Sequence, residues 1–194
     1  MKHDIVLAGV GGQGILTIAA IIGEAALRQG LHVKQSEVHG MAQRGGAVLA
    51  HLRLNSEPIH SDLIAPGSAA IVLAVEPMEA LRQAESLSPQ GVILTNARPV
   101  RNVSDYPELD EVLAALRAFP RNLVIDAEQM AQDAGNARAM NMVMLGAVSP
   151  FLDFPDESLT TVIRDAFARK GPDVVAVNLK AFAAGREAAL AVKR

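Results

Sequence analysis

Two short stretches hold the residue types that could do chemistry. The first is GVGGQG, residues 9–14, in which Gly9, Gly11 and Gly14 spell G-x-G-x-x-G between an apolar run and a helical pattern. Glycines there let the backbone take positive φ and approach a ligand closely, and the N–H groups of a first helical turn attract an anion such as a pyrophosphate. Gly12 and Gln13 complete the loop, and the Gln13 amide could hydrogen-bond a ligand or partner across the strand ends. The same glycines equally serve a tight strand-to-helix turn with close helix–sheet packing. A dinucleotide site would add an acidic residue about 20 positions on to hold a ribose. Glu37 lies 23 positions after Gly14, late and inside a polar stretch, so it matches that pattern poorly.

That polar stretch, SEVHGMAQRGG, residues 36–46, is the second. It carries Glu37, His39, Gln43 and Arg44, with Gly40, Gly45 and Gly46 to shape the backbone. A guanidinium offers a planar fork for a carboxylate or phosphate, and an imidazole titrates near neutral pH. Following a strand, the stretch is expected to emerge as a loop at the carboxyl end of the sheet, beside the glycine loop, where open α/β sheets bind ligands. A solvated loop with its charges in water is the competing reading.

Other chemistries find no motif. His3, His32, His39, His51 and His60 fall into no zinc spacing, and neither a G-x-S-x-G elbow nor a G-x-x-x-x-G-K-[ST] phosphate loop occurs. Glu76, Asn96 and Asp126 each sit where a predicted strand ends, and helix capping is the first expectation for Glu76 and Asp126. Met140, Met142 and Met144 read as core or interface filler.

The elements that must position these groups alternate along the chain. Residues 4–8 read as a strand and 14–29 as a helix, with Ile15, Ile18, Ala19, Ile22, Ala25 and Ala26 in phase and Gly30 as its C′ residue. Residues 31–35 form a second short strand, and 47–54 alternate as a half-buried one. Residues 69–75 are a continuous apolar run of the kind buried on both faces, and Pro77 opens a helix running to about residue 87. A strand over 92–95, a helix over 109–119, a strand over 123–126 and a helix over 127–135 follow. Beyond them, 139–148 is apolar, and 156–168 and 178–191 are amphipathic helix candidates. The pattern predicts an α/β fold: a single Rossmann-like, open, mostly parallel sheet flanked by helices, with a C-terminal helical layer. Nothing resembling a linker or repeat divides residues 1–194, which are read as one domain.

Composition narrows the function classes. The 194 residues carry 18 basic and 21 acidic side chains, a net charge of -3, with five Phe, one Tyr and no Trp. That gives nucleic acid neither a basic stripe nor a stacking platform. The absence of cysteine rules out disulfides, a thiolate nucleophile and ligation of an ordinary iron–sulfur cluster by this chain. No secretory leader is read at residues 1–9, and no apolar run approaches the ~20 residues of a membrane span. A cytoplasmic protein is expected.

The blocks GVGGQGILT (9–17), SEVHGMAQRGGAV (36–48), VEPMEALR (75–82), TNARPV (95–100), DAEQMAQDAGNARAMNMVMLGA (126–147) and VNLKAFAAG (177–185) form an ordered set. In that order they resemble the small subunit of 2-oxoacid:ferredoxin oxidoreductases, and within that family are most similar to the beta-type subunit of the indolepyruvate enzymes. The resemblance implies the gamma-type catalytic domain of pyruvate/ketoisovalerate oxidoreductases. It also implies a large partner subunit that carries thiamine diphosphate, Mg2+ and iron–sulfur clusters, with CoA as co-substrate and ferredoxin as acceptor. No cofactor is expected on this chain alone, which is expected to be inactive by itself. Indolepyruvate-type relatives often carry an aromatic residue where this chain has Gly45, and pyruvate-type relatives often show R-G-G there, so the 2-oxoacid stays open.

The chemistry of the residues assigns roles that the resemblance does not. Glu37, His39, Gln43 and Arg44 would close an active site, and Gly9, Gly11, Gly12, Gln13, Gly14, Gly45 and Gly46 would form a face toward a ligand or partner. A free-standing NAD(P)- or flavin-binding protein and a purely structural scaffold for the large subunit are the other readings. An apolar partner face left uncovered would drive homodimers of the isolated chain.

Overall fold

The computed structural model describes residues 1–40 and 45–192. Along the chain run β1 (Lys2–Val10), α1 (Ile15–Arg28), β2 (His32–His39), β3 (Ala47–Asn55), β4 (Ala69–Ala74), α2 (Pro77–Arg82), β5 (Leu87–Asn96), α3 (Leu109–Arg117), β6 (Asn122–Ile125), α4 (Ala127–Ala134), α5 (Met140–Val148), α6 (Asp156–Phe167) and α7 (Pro172–Val192). The strands form one six-stranded sheet in the order β2-β3-β1-β4-β5-β6. β1, β4, β5 and β6 run parallel, and β3 is antiparallel to both of its neighbours.

β4 and the middle of β1 (residues 5–8) and of β5 (residues 92–94) are apolar at every position because helices cover both faces. On one face Ile5, Leu7, Ala50, Leu52, Ile71, Leu73 and Leu94 meet α1 and the C-terminal helices; on the other Val6, Ala8, Val72, Ala74 and Ile93 meet α2 and α3. Each fully buried Leu or Ile contributes about 1.5–3 kcal/mol of apolar transfer. The three methionines of α5 are all core, at no more than 8% exposed. Among the described residues, no helix is long and apolar enough to cross a membrane.

The mostly parallel sheet and the C-terminal helical layer are as the sequence pattern predicts. Three boundaries differ. Residues 36–39 are strand rather than loop, with Ser36, Glu37, Val38 and His39 pairing with His51, Ala50, Leu49 and Val48. Their polarity reflects an exposed edge strand, which pairs with β3 on one side and turns its other side to water. The second helix stops at Arg82, and a short 3-10 turn (Ala84–Ser86) leads into a fifth strand that begins at Leu87. The last helix begins at Pro172 rather than 178, because proline at a first helical position has no N–H to leave unsatisfied.

Candidate functional site

The carboxyl ends of β1, β2, β4, β5 and β6 lie on one edge of the sheet, and the loops that follow them meet there. Gly9 lies one residue before the end of β1, where the start of α1 and the residue after β4 crowd it: a Cβ at this position would run into Val75 and Ile15. Gly14 caps α1 in the left-handed region (φ 81°), with no side chain closing the helix end. A Cβ there would sit 2.6 Å from Nδ2 of Asn141 on α5. The glycines therefore make the close approach and the turn that the sequence allowed for.

The tip of the β2–β3 hairpin joins this loop through backbone bonds. Gly11 N donates to Gly46 O at 2.8 Å, and Gly45 N to Gly11 O at 3.4 Å. Asn102, from the loop between β5 and α3, donates its Nδ2 to Gly45 O at 2.6 Å. Gln13 works inside the chain: Oε1 accepts from Val10 N at 2.8 Å and Nε2 donates to Val75 O at 3.0 Å, tying the end of β1 to the end of β4. Between the start of α1 and the hairpin lies a cleft of about 380 Å³, lined by Val10, Ile15, Leu16 and Val48 with Gly11, Gly12, Gly14, Thr17 and His39. His39 is exposed, its Nδ1 3.2 Å from Gly40 O.

The structure thus brings Gly9, Gly11, Gly12, Gln13, Gly14, His39, Gly45 and Gly46 to one edge. Glu37 is set apart. It pairs with Ala50 on β3, which pairs with Leu7 on β1, so two strand spacings, about 9–10 Å, separate Glu37 from β1. In a dinucleotide fold the second strand lies beside the first and carries its acid to the glycine loop. Here antiparallel β3 is inserted between them. Gln43 and Arg44 lie outside the described residues.

On the far half of the edge the polar groups are spent on one another. Glu76, 1% exposed, caps α2 through Glu79 N at 2.8 Å and accepts from Tyr106 Oη at 2.5 Å and Val100 N at 3.3 Å. Burial, and then this bond to Glu76, pushes the Tyr106 phenol well above its ordinary pKa, so it stays a donor. Burial also raises the Glu79 carboxyl, against the pull of Arg82. Asn96 is fully buried, accepting from Ala127 N at 3.0 Å. Asp126 caps α4 through Gln129 N and holds Arg98 at 2.8 and 2.9 Å; that guanidinium keeps its carboxyl below the usual range. Capping by Glu76 and Asp126 is as expected. Tyr106, Arg98, Asn102 and Asn141 were not singled out. Tyr106 had a signal as the chain's single tyrosine; the two asparagines had none.

The model of one protein family, pyruvate ferredoxin/flavodoxin oxidoreductase, matches residues 4–188. The chain belongs to this family. It is 40% identical to the indolepyruvate oxidoreductase subunit IorB of Thermococcus kodakarensis, over 97% of this chain and 96% of that one. It is 29% identical to the pyruvate/ketoisovalerate oxidoreductases common subunit gamma of Pyrococcus furiosus, over 82% and 84% of the two chains. Among solved structures it matches the gamma subunit of a keto/oxoacid ferredoxin oxidoreductase from Geobacter sulfurreducens (TM-score 0.71, 25% identity, 97% and 99% of the chains). It also matches 2-oxoglutarate:ferredoxin oxidoreductase from Magnetococcus marinus, determined with 2-oxoglutarate, coenzyme A and succinyl-CoA bound (TM-score 0.76, 25% identity). There it covers 98% of its own length and 31% of the larger chain. The chain is a small subunit of the 2-oxoacid:ferredoxin oxidoreductase type.

Proposed function

We propose that this chain closes and supports the active site of a large, thiamine-diphosphate-dependent subunit that oxidises an aryl 2-oxoacid, indolepyruvate first among them. In that reaction a 2-oxoacid, CoA and two oxidised ferredoxins give the acyl-CoA, CO2, a proton and two reduced ferredoxins. Thiamine diphosphate supplies the carbanion chemistry of decarboxylation. This chain's donor set does not fit the metal groups: it has no cysteine, and its described residues contain no cluster of three or more His, Asp or Glu side chains. Those groups are therefore assigned to the partner, and the chain alone is expected to be inactive.

The observation that carries the reading is the apolar cleft between the glycine loop and the hairpin. Leu16, 39% exposed, lines it together with Val10, Ile15 and Val48, and such apolar groups are costly to leave facing water. A large subunit seated there would cover them, and the backbone-bonded loop would form a wall over the reacting groups. Gly9, Gly11, Gly12, Gln13, Gly14, Gly45 and Gly46 shape that wall with His39 beside them; Glu37, set apart on β2, and Gln43 and Arg44, outside the described residues, are assigned to closing the site on their chemistry alone. Arg44 would meet a carboxylate or phosphate of 2-oxoacid or CoA.

The test is anaerobic purification through a tag on this chain, followed by CoA-dependent viologen reduction with indolepyruvate and with pyruvate. A brown partner with faster indolepyruvate turnover is expected. Faster pyruvate turnover would move the chain to the pyruvate type. A colourless solitary chain that binds NADH would restore the dinucleotide reading. In the active complex, Arg44→Ala should raise the KM for 2-oxoacid or CoA; unchanged assembly, KM and turnover would remove Arg44 from the site. A pure scaffold would show altered assembly and normal turnover once assembled.

A further inference from the structure

A second cleft, about 620 Å³, opens behind the glycine loop, between α1, the α4–α5 connection and the α6–α7 junction. Its floor is built of amides. Asn178 is 7% exposed; its Nδ2 donates to Val174 O at 2.8 Å, while its Oδ1 accepts no hydrogen bond from any described residue. The side-chain amide of Asn141, which packs on Gly14, makes no hydrogen bond to any described residue. The Asn178 residue is mostly buried, but its oxygen keeps access to the cleft, where a ligand could donate to it.

The rim carries charge of both signs. Arg138 and Lys170 line the cleft, and neither forms an ion pair with a described residue. Lys170 lies over Phe167, its Nζ 5.2 Å from the ring centroid. Asp173, on the same rim, also lacks a cationic partner among the described residues. α7 begins here at Pro172, which adds one positive helix end, while the turn leading into α5 is capped by Asn136 Oδ1. Val174 and Val177 with Phe167 supply an apolar flank.

Each simple ligand class leaves part of this set unmet. A bare anion would satisfy Arg138 and Lys170 and leave Asp173 and the Asn178 oxygen unused. An amine would do the reverse. A neutral apolar molecule would strand all of them. We propose that the cleft binds an α-amino acid with an apolar side chain. Its carboxylate meets Arg138, Lys170 and the start of α7; its ammonium meets Asp173 and Asn178 Oδ1; its side chain lies along Phe167, Val174 and Val177. This site is distinct from the cleft at the hairpin and stands whether or not the proposed subunit role holds.

The test is calorimetric titration of the chain as purified, with any subunit that accompanies it. The probes are L-phenylalanine and L-leucine, with phenylacetate (no ammonium), phenethylamine (no carboxylate) and inorganic phosphate as controls. Saturable binding of at least one amino acid is expected, with each one-charge analogue weaker by about tenfold or more. Arg138→Ala and Asp173→Ala should each cost a similar factor; both positions are exposed, so the variants fold. Three results would each overturn the proposal. One is no saturable binding of either amino acid. Another is phosphate or phenylacetate binding as tightly as the amino acid. The third is amino-acid affinity unchanged in both variants.

Discussion

The two halves of the carboxyl edge solve the same problem differently. Over β4, β5 and β6, side chains close the loops: Glu76, Asn96 and Asp126 each hold a helix start or a following loop, and their partners are internal. Over β1, β2 and β3 the glycine loop and the hairpin meet by backbone alone, beside an apolar cleft with exposed Leu16. Where polar side chains are consumed by one another, the edge is architecture. Where the backbone does the joining, side chains and surface remain for another molecule.

The largest expected effect lies in the architectural half. Glu76→Ala removes a helix cap and strands both the Tyr106 hydroxyl and the Val100 N–H. The loss should be about 2–4 kcal/mol by denaturant titration. Tyr106→Phe removes one bond and should cost about 1 kcal/mol. Equal, small losses in both would mean that Glu76 does not organise this half. Gly9→Ala attacks the seam between the halves, where a methyl must displace Val75 and Ile15; about 1–3 kcal/mol is expected from overpacking. A neutral Gly9→Ala would show that the seam has slack.

How legible these halves were in the sequence follows from the physics. The glycine loop was readable because strand, turn and helix constraints act within a few residues. The central strands were readable because burial on both faces leaves an unbroken apolar run. The β2 edge was not: Ser36–Glu37–Val38–His39 is polar enough for a loop, and only pairing with β3 makes it strand. That pairing also moved Glu37 away from the glycine loop. The two-way engagement of Gln13 depends on Val75, 62 residues away, and the tie from Asn102 to Gly45 spans 57, distances over which local pattern is silent.

Asn102 ties the loop after β5 to the hairpin, as Gln13 ties the end of β1 to the end of β4. It is exposed, so Asn102→Ala should cost about 1 kcal/mol or less in stability. If the comparison is right, its larger effect falls on the hairpin: faster amide exchange at Gly45 and Gly46, with the β4–β6 half unchanged. Exchange that quickens equally in both halves would mean the edge moves as one unit.

The smallest effect is electrostatic and belongs to Arg98 and Asp126. Both are well exposed, at 44% and 43%, so solvent screens the pair and its contribution to stability is small. Its sign is still definite. Arg98 lowers the Asp126 pKa in the folded state, so the folded chain holds that carboxylate's charge to lower pH than the unfolded chain does. The stabilisation is fully present above the unfolded carboxylate pKa, near 3.9, and is lost as pH falls through the folded value. Arg98→Ala should return Asp126 toward the ordinary range in a carboxyl NMR titration, and high salt should shrink the difference. Asp126 would still cap α4 through Gln129 N, so the helix start should survive. A helix that frays in Arg98→Ala would show that the ion pair, rather than the cap, orders this end of the architectural half.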